Sequence, residues 1–222
     1  MINEHKTISI ASQIFEQLEH DILTGKYEKG ELLTESRLTA ELGVSRTPIR
    51  EALRRLEQEH IIKDTTKGAV VIGISNEDMR DMYEIRILIE GVAAARAAKN
   101  ITDDELAEMK EVLDLQNYYI QNSTTGDVQS NADTIKTLDS KFHKMLYRYS
   151  ASKAYYDTLL PIHRKMIKYR KASISRHSRA EQSIKEHYAI YEALKNHDEK
   201  KAQELTTAHI KNARDNIIKS EI

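Results

Sequence analysis

An aspartate and a histidine four residues apart, Asp139 and His143, and two later histidines, His187 and His209, are the side chains of this sequence whose types could do chemistry together. At i, i+4 spacing Asp139 and His143 project from one face of a helix, beside Phe142 and Leu146. His187 stands in IKEHYAI, one turn before Tyr191, and His209 in ELTTAHIKNA, one turn after Leu205. Three imidazoles and one carboxylate make a donor set suited to Zn²⁺, Ni²⁺ or Mn²⁺. The chain has no cysteine, so a disulfide framework and a thiolate zinc site of the finger type are both excluded. A satisfied core histidine explains each imidazole taken alone at least as well, because there are 9 histidines in the chain. Spacing by itself leaves both readings open, and His5, His20, His60, His163, His177 and His197 are assigned to structure.

A second group is basic. In Gly43 to Gln58, GVSRTPIREALRRLEQ, a turn glycine and Ser45 as N-cap lead into a helix with Pro48 in its first turn, where the missing N–H does little harm. Ile49, Ala52, Leu53 and Leu56 recur at i, i+3, i+4, i+7 as a buried stripe, while Arg46, Thr47, Arg50 and Arg54 point the other way. This reads as a recognition helix, with an ordinary solvated amphipathic helix as the competing reading. Bulk charge gives no case for nucleic acid: the chain carries a net −1, and Met1 to Ile74 holds 10 Lys/Arg against 12 Asp/Glu, a net of −2. The signal is local, four arginines against Glu51 between Arg46 and Arg55, and DNA contact needs a basic patch rather than a basic domain.

The elements that must position these groups are mainly helical, as 7 Gly and 2 Pro in 222 residues imply. Ile10, Ile14, Leu18 and Ile22 predict a first helix ending at Gly25, and KYEKGELL reads as a loop. Thr34 caps a short helix, ESRLTAELG, which runs to Gly43 and the recognition helix. Beyond Gln58 the period changes: Ile61-Ile62 and Ala69-Val70-Val71-Ile72 flank a polar tip that ends at Lys67-Gly68, which predicts a two-stranded wing. A boundary near Gly73 to Ser75 divides residues 1–74, a winged helix-turn-helix, from residues 75–222, an all-α helical bundle. In the bundle the first helix runs to about Lys99 with Met82, Ile85, Ile89, Val92 and the small-residue run AAARAA facing a partner. Thr102 to Glu105 is a capping box for the second, Gln121 to Asn131 is a surface loop, and four more helices follow. No signal segment or membrane-length apolar run is read, so a cytoplasmic protein is expected.

From ELLTESRLTAELGVSRTPIREALRRLEQEHIIKDTTKGAVV the N-terminal part resembles the DNA-binding domain of the GntR family of bacterial transcription regulators. The resemblance implies DNA contacts by Arg37, Arg46 and Arg50, with Thr47 on phosphate, Lys67 at the wing tip and a bare Gly68 backbone entering the minor groove. The sequence departs from the family at Leu33, where a proline is usual, and at His60, where a glycine is usual. The second part, through EIRILIEGVAAARAA, LDSKFHKML, SIKEHYAIYEAL and AHIKN, resembles the FadR-type C-terminal ligand-binding domain, the FCD domain. In its metal-binding members the matching positions, Asp139, His143, His187 and His209, hold one divalent cation beside an effector carboxylate, which implies zinc here first, with nickel or manganese as the other choices. Arg86 matches an arginine that could clamp that carboxylate bidentately, or it pairs structurally with Glu90 one turn on; both roles stay open.

The expectation is therefore a homodimeric regulator, a repressor by family habit and not an enzyme. It would bind a pseudo-palindromic double-stranded DNA operator and answer to a small organic acid. A metal sensor and, more remotely, a metal-dependent hydrolase are the rival readings.

Overall fold

In the computed structural model, residues 9–123, 128–167 and 177–219 are described, and they form two compact units that divide between Ser75 and Asn76. The first opens with α1 (Ile10–Leu23), capped by Ser9 and closed by left-handed Gly25. β1 (Leu32–Leu33), α2 (Glu35–Leu42), α3 (Arg46–Gln58), β2 (Ile62–Thr65) and β3 (Gly68–Val71) follow. Thr34 caps α2 by accepting from the Arg37 N–H, and Gly43 ends it at φ 66°, a left-handed cap that turns the chain into α3. Ile49, Ala52 and Leu56 of α3 are fully buried against Leu18, Phe15 and Leu38, so the apolar stripe does hold the helix, with Leu53 only partly covered.

The segment Lys26–Leu33, expected as a loop, contains β1. Leu32 pairs with Val70 and Leu33 with Ala69, giving an antiparallel sheet of order β1-β3-β2 rather than a free hairpin. Leu33 is completely buried, which accounts for a leucine where the resemblance led one to expect proline. A Cβ on Gly68 would stand 2.9 Å from the Leu33 carbonyl oxygen, and its φ is 133°. Glycine is thus required here by β1 and the backbone conformation alone.

The second unit is helical: α4 (Asn76–Asn100), α5 (Asp103–Gln121), α6 (Val128–Tyr149), α7 (Lys153–Lys165), α8 (His177–Lys195) and α9 (Glu199–Ile218). Thr102 and Glu105 form the capping box of α5, and Asp198 caps α9. Helix α9 lies along α4, with α5 against α6 and α8. The approach of α9 to α4 is close enough that a Cβ on Gly91 would meet Thr207 and Gln203 at 2.3 and 2.9 Å.

Three expectations need adjustment. The small-residue run of α4 is buried as expected at Ala93, Ala94, Ala97 and Ala98, but before it the inward face is Met79, Tyr83, Arg86 and Glu90, with Ile89 only partly buried against the core and Ile85 exposed. The reason is that Arg86 and Glu90 neutralise each other inside, so the helix turns a charged pair inward. Helix α6 begins at Val128, earlier than expected, while residues 124–127 of the expected loop lie outside the described residues. The expected fourth bundle helix, to Ala172, is seen to Lys165; residues 168–172 lie outside the described residues.

His60 follows α3 at φ 55°. A side chain with a Cβ in this region is strained by roughly 1 kcal/mol. His60→Gly is therefore expected to raise folding stability by about 0.5–1 kcal/mol, read from the urea midpoint at unchanged m-value; a fall in stability would show that the imidazole makes a stabilising contact.

Candidate functional site

Three helices of the second unit each deliver one histidine to a common point. His143 comes from α6, His187 from α8 and His209 from α9, all buried. The Nε2 atom of His209 lies 3.3 Å from Nε2 of His143 and 3.3 Å from Nε2 of His187. Asp139 Oδ1 is 3.7 Å from His187 Nε2. The structure thus brings together the four residues that spacing left undecided.

The opposite nitrogen of each ring is already committed. His143 Nδ1 is 2.9 Å from Glu90 Oε1 on α4, His209 Nδ1 is 2.6 Å from Glu186 Oε2 on α8, and His187 Nδ1 is 3.4 Å from Gln116 Oε1 on α5. A carboxylate or amide oxygen can only accept, so Nδ1 carries the proton in each ring and the lone pair sits on Nε2. In the neutral rings the 3.3 Å Nε2 contacts turn lone pairs toward a common point, where a cation held between them would be shared by all three. Burial, chiefly, pushes the His187 imidazole well below its ordinary pKa and lowers that of His143 against the pull of Glu90. Nitrogens bound about 2.0–2.1 Å from a zinc-like ion at tetrahedral angles lie about 3.4 Å apart. The donor set fits a divalent cation, and the carboxylates behind His143 and His209 supply the outer support such ligands use. Phe142 stacks on His187 at 4.1 Å, fixing the ring that has the longest hydrogen bond.

Glu90 is the centre of a buried network. It accepts from Arg86 Nε at 2.8 Å, Arg86 Nη2 at 3.3 Å, His143 Nδ1, and the Tyr147 hydroxyl at 2.5 Å. Burial would raise its carboxyl pKa, but Arg86 and His143 more than offset this and hold it well below the usual range. Arg86 makes the structural pair: two of its three nitrogens meet Glu90, and the third faces Met166 Sδ at 3.8 Å. His163, assigned to structure by sequence, is also buried here, its ring 5.1 Å from that of His143 and its Nδ1 3.4 Å from the Tyr147 hydroxyl. Glu90, Glu186, Gln116 and Tyr147 escaped sequence reasoning as site residues. The usable signals were Glu186 next to His187, and Tyr147 one turn beyond His143.

In the first unit, Arg46, Thr47 and Arg50 are exposed at the start of α3, and Lys67 is exposed at the turn before β3. Arg50 Nε meets Glu35 Oε1 at 2.7 Å. Arg37 is held within its own unit by Glu31 at 2.8 Å and Glu41 at 2.6 Å, over the Tyr27 ring. Gly68 sits at the wing turn with its missing side chain toward β1.

Removing the Tyr147 hydroxyl takes one donor from a buried charge. Tyr147→Phe should cost about 1.5–3 kcal/mol in chemical denaturation; a loss under about 0.5 kcal/mol would mean Glu90 is satisfied without it.

The chain is 29% identical over 198 residues to an uncharacterized HTH-type transcriptional regulator, YdhC, of Bacillus subtilis, covering 89% of this chain and 86% of that protein. It is 26% identical over 212 residues to the HTH-type transcriptional repressor RspR of Escherichia coli, covering 95% and 90%. Among solved structures, E. coli McbR/YncC superposes with a TM-score of 0.77 over 97% of this chain and 100% of that one at 20% identity, a likeness of fold. Among the described residues no helix is long and apolar enough to cross a membrane. Residues 10–72 match the gntR family of bacterial regulatory proteins and residues 81–212 match the FCD domain, so the chain belongs to the GntR family of transcription regulators, with an FCD effector-binding domain.

Proposed function

We propose that this DNA-binding regulator is a repressor whose FCD domain holds one divalent metal ion on Asp139, His143, His187 and His209, and whose operator affinity is set by a small carboxylate bound beside it. The observation that carries the reading is the convergence of three Nε2 atoms with all three Nδ1 atoms committed outward. Zinc suits a nitrogen-rich set of this kind, with nickel or manganese as the other candidates. When bound, the ion supplies a Lewis-acidic point that a carboxylate oxygen can share. The chain's own residues fix the ligand tautomers, exclude water from the imidazoles, and balance Glu90 and Glu186 with Arg86 and Arg179. The repressor reading is supported by the repressor of E. coli that this chain resembles over nearly its whole length. The protein acts as a homodimer in this reading, each protomer placing α3 in one half of a pseudo-palindromic operator, with Arg46 and Arg50 toward base edges and Thr47, Lys67 and the Gly68 turn toward the backbone or minor groove.

Chelator-stripped protein titrated with zinc to about a hundredfold over Kd should gain about 2.7 kcal/mol of stability, read as a rise in Tm. His143→Ala should lose most of that gain; a stripped wild type that shows no rise with zinc, nickel or manganese sinks the metal reading. At fixed salt, Arg50→Ala should weaken operator binding by about 1–3 kcal/mol and relax base preference in a gel shift. Unchanged affinity and preference would remove Arg50 from the readout.

A further inference from the structure

The partners behind the three imidazoles are unequal, and the best built of them is on α8. Glu186 Oε2 accepts from His209 Nδ1 at 2.6 Å and from both terminal nitrogens of Arg179 at 3.0 Å, while Oε1 accepts from Asn212 Nδ2 at 2.8 Å and Gln182 Nε2 at 3.2 Å. Five donors on one carboxylate leave it no rotational freedom. Its neighbour in sequence, His187, presents Nε2 to the same centre from the other side. Consecutive residues of α8 thus hold complementary posts: His187 faces the centre, and Glu186 grips the imidazole that α9 contributes.

We infer that Glu186 is the positioning residue for His209, fixing its tautomer and ring orientation and raising its basicity as a metal ligand, with Arg179 and Asn212 as the restraints that keep Glu186 in place. This rests on the metal reading above. A hydrogen bond from the far nitrogen of a ligating histidine to a carboxylate raises its donor strength, and loss of such a partner weakens metal binding by roughly 10–100-fold. Glu90 stands in the same relation to His143, but it is the weaker place to test the idea. It has no solvent exposure and neutralises Arg86, so its removal would strand a buried cation. Glu186 and its cation Arg179 keep 12% and 8% of their side chains exposed, against 0% and 3% for Glu90 and Arg86, so water can reach the guanidinium that a neutral isostere would leave unpaired.

The test is cobalt titration of the chelator-stripped full-length chain, followed by the visible d–d absorption of the bound ion, for wild type, Glu186→Gln and Asn212→Ala, with folding checked by circular dichroism. Glu186→Gln is expected to bind cobalt roughly 10–100-fold more weakly and with a shifted spectrum, because an amide is a poorer acceptor than a carboxylate. Asn212→Ala, which loosens Glu186 without touching the imidazole, should show a smaller loss in the same direction and decides the matter should Glu186→Gln not fold. Wild-type affinity and spectrum in both folded variants, or in Asn212→Ala alone where Glu186→Gln is unfolded, would overturn the inference while leaving the metal site standing. A wild type that takes up no cobalt would fell the metal reading and this inference with it.

Discussion

A carboxylate with no access to water fixes much of the second unit. Glu90 is fully buried, and a lone charge in that position would cost several kcal/mol. It is tolerated because Arg86 lies one turn before it on α4, while His143 and Tyr147, one turn apart on α6, both reach it. Two pairs at i, i+4 facing each other across two helices define a rotation of each helix about its axis. Turning α4 by one residue would break the ion pair's contacts to α6 and expose the charge to an apolar wall. The orientation of the His143 ring, and so the direction of its Nε2, follows from this constraint.

On the far side of the centre, Glu186 plays a corresponding part between α8 and α9, and Gln116 reaches His187 from α5. The groups that aim the imidazoles therefore sit on long helices rather than on loops, which limits their wander. Packing adds to this: Phe142 lies flat on His187, and Gly91 lets α9 press against α4 one residue from Glu90. The polar centre and the apolar core are consequently one construction, since the same helices carry both faces.

Most of this architecture was legible in the sequence, and the misses share a cause. Periodicity found α1, α3, α5 and the later helices because their buried faces are apolar. It placed the alanine run of α4 inward correctly but misplaced the half before it, because Arg86 and Glu90 count as surface residues on any hydropathy scale, whereas inside they satisfy one another. The four candidate ligands were visible as residue types on helical faces, yet their convergence needed the packing angles that bring α6, α8 and α9 together. Glu186 had only its place beside His187 to mark it, since a glutamate on a charged helix has no distinguishing spacing. Strand β1 went unseen because two leucines carry no alternation; its pairing with β3 exists only in three dimensions.

That short strand has a kinetic meaning. The β2 and β3 contacts join residues a few positions apart, but Leu33 meets Ala69 across 36 positions, with α2 and α3 enclosed between them. Closing so long a loop carries an entropic cost that a two-residue strand cannot offset by itself. The pairing of β1 therefore belongs late in the folding of this unit, after the helices have condensed and shortened the span between the strands. The short strand ties the wing to the segment that leads into α2, so a nascent or partly unfolded head lacks that tie.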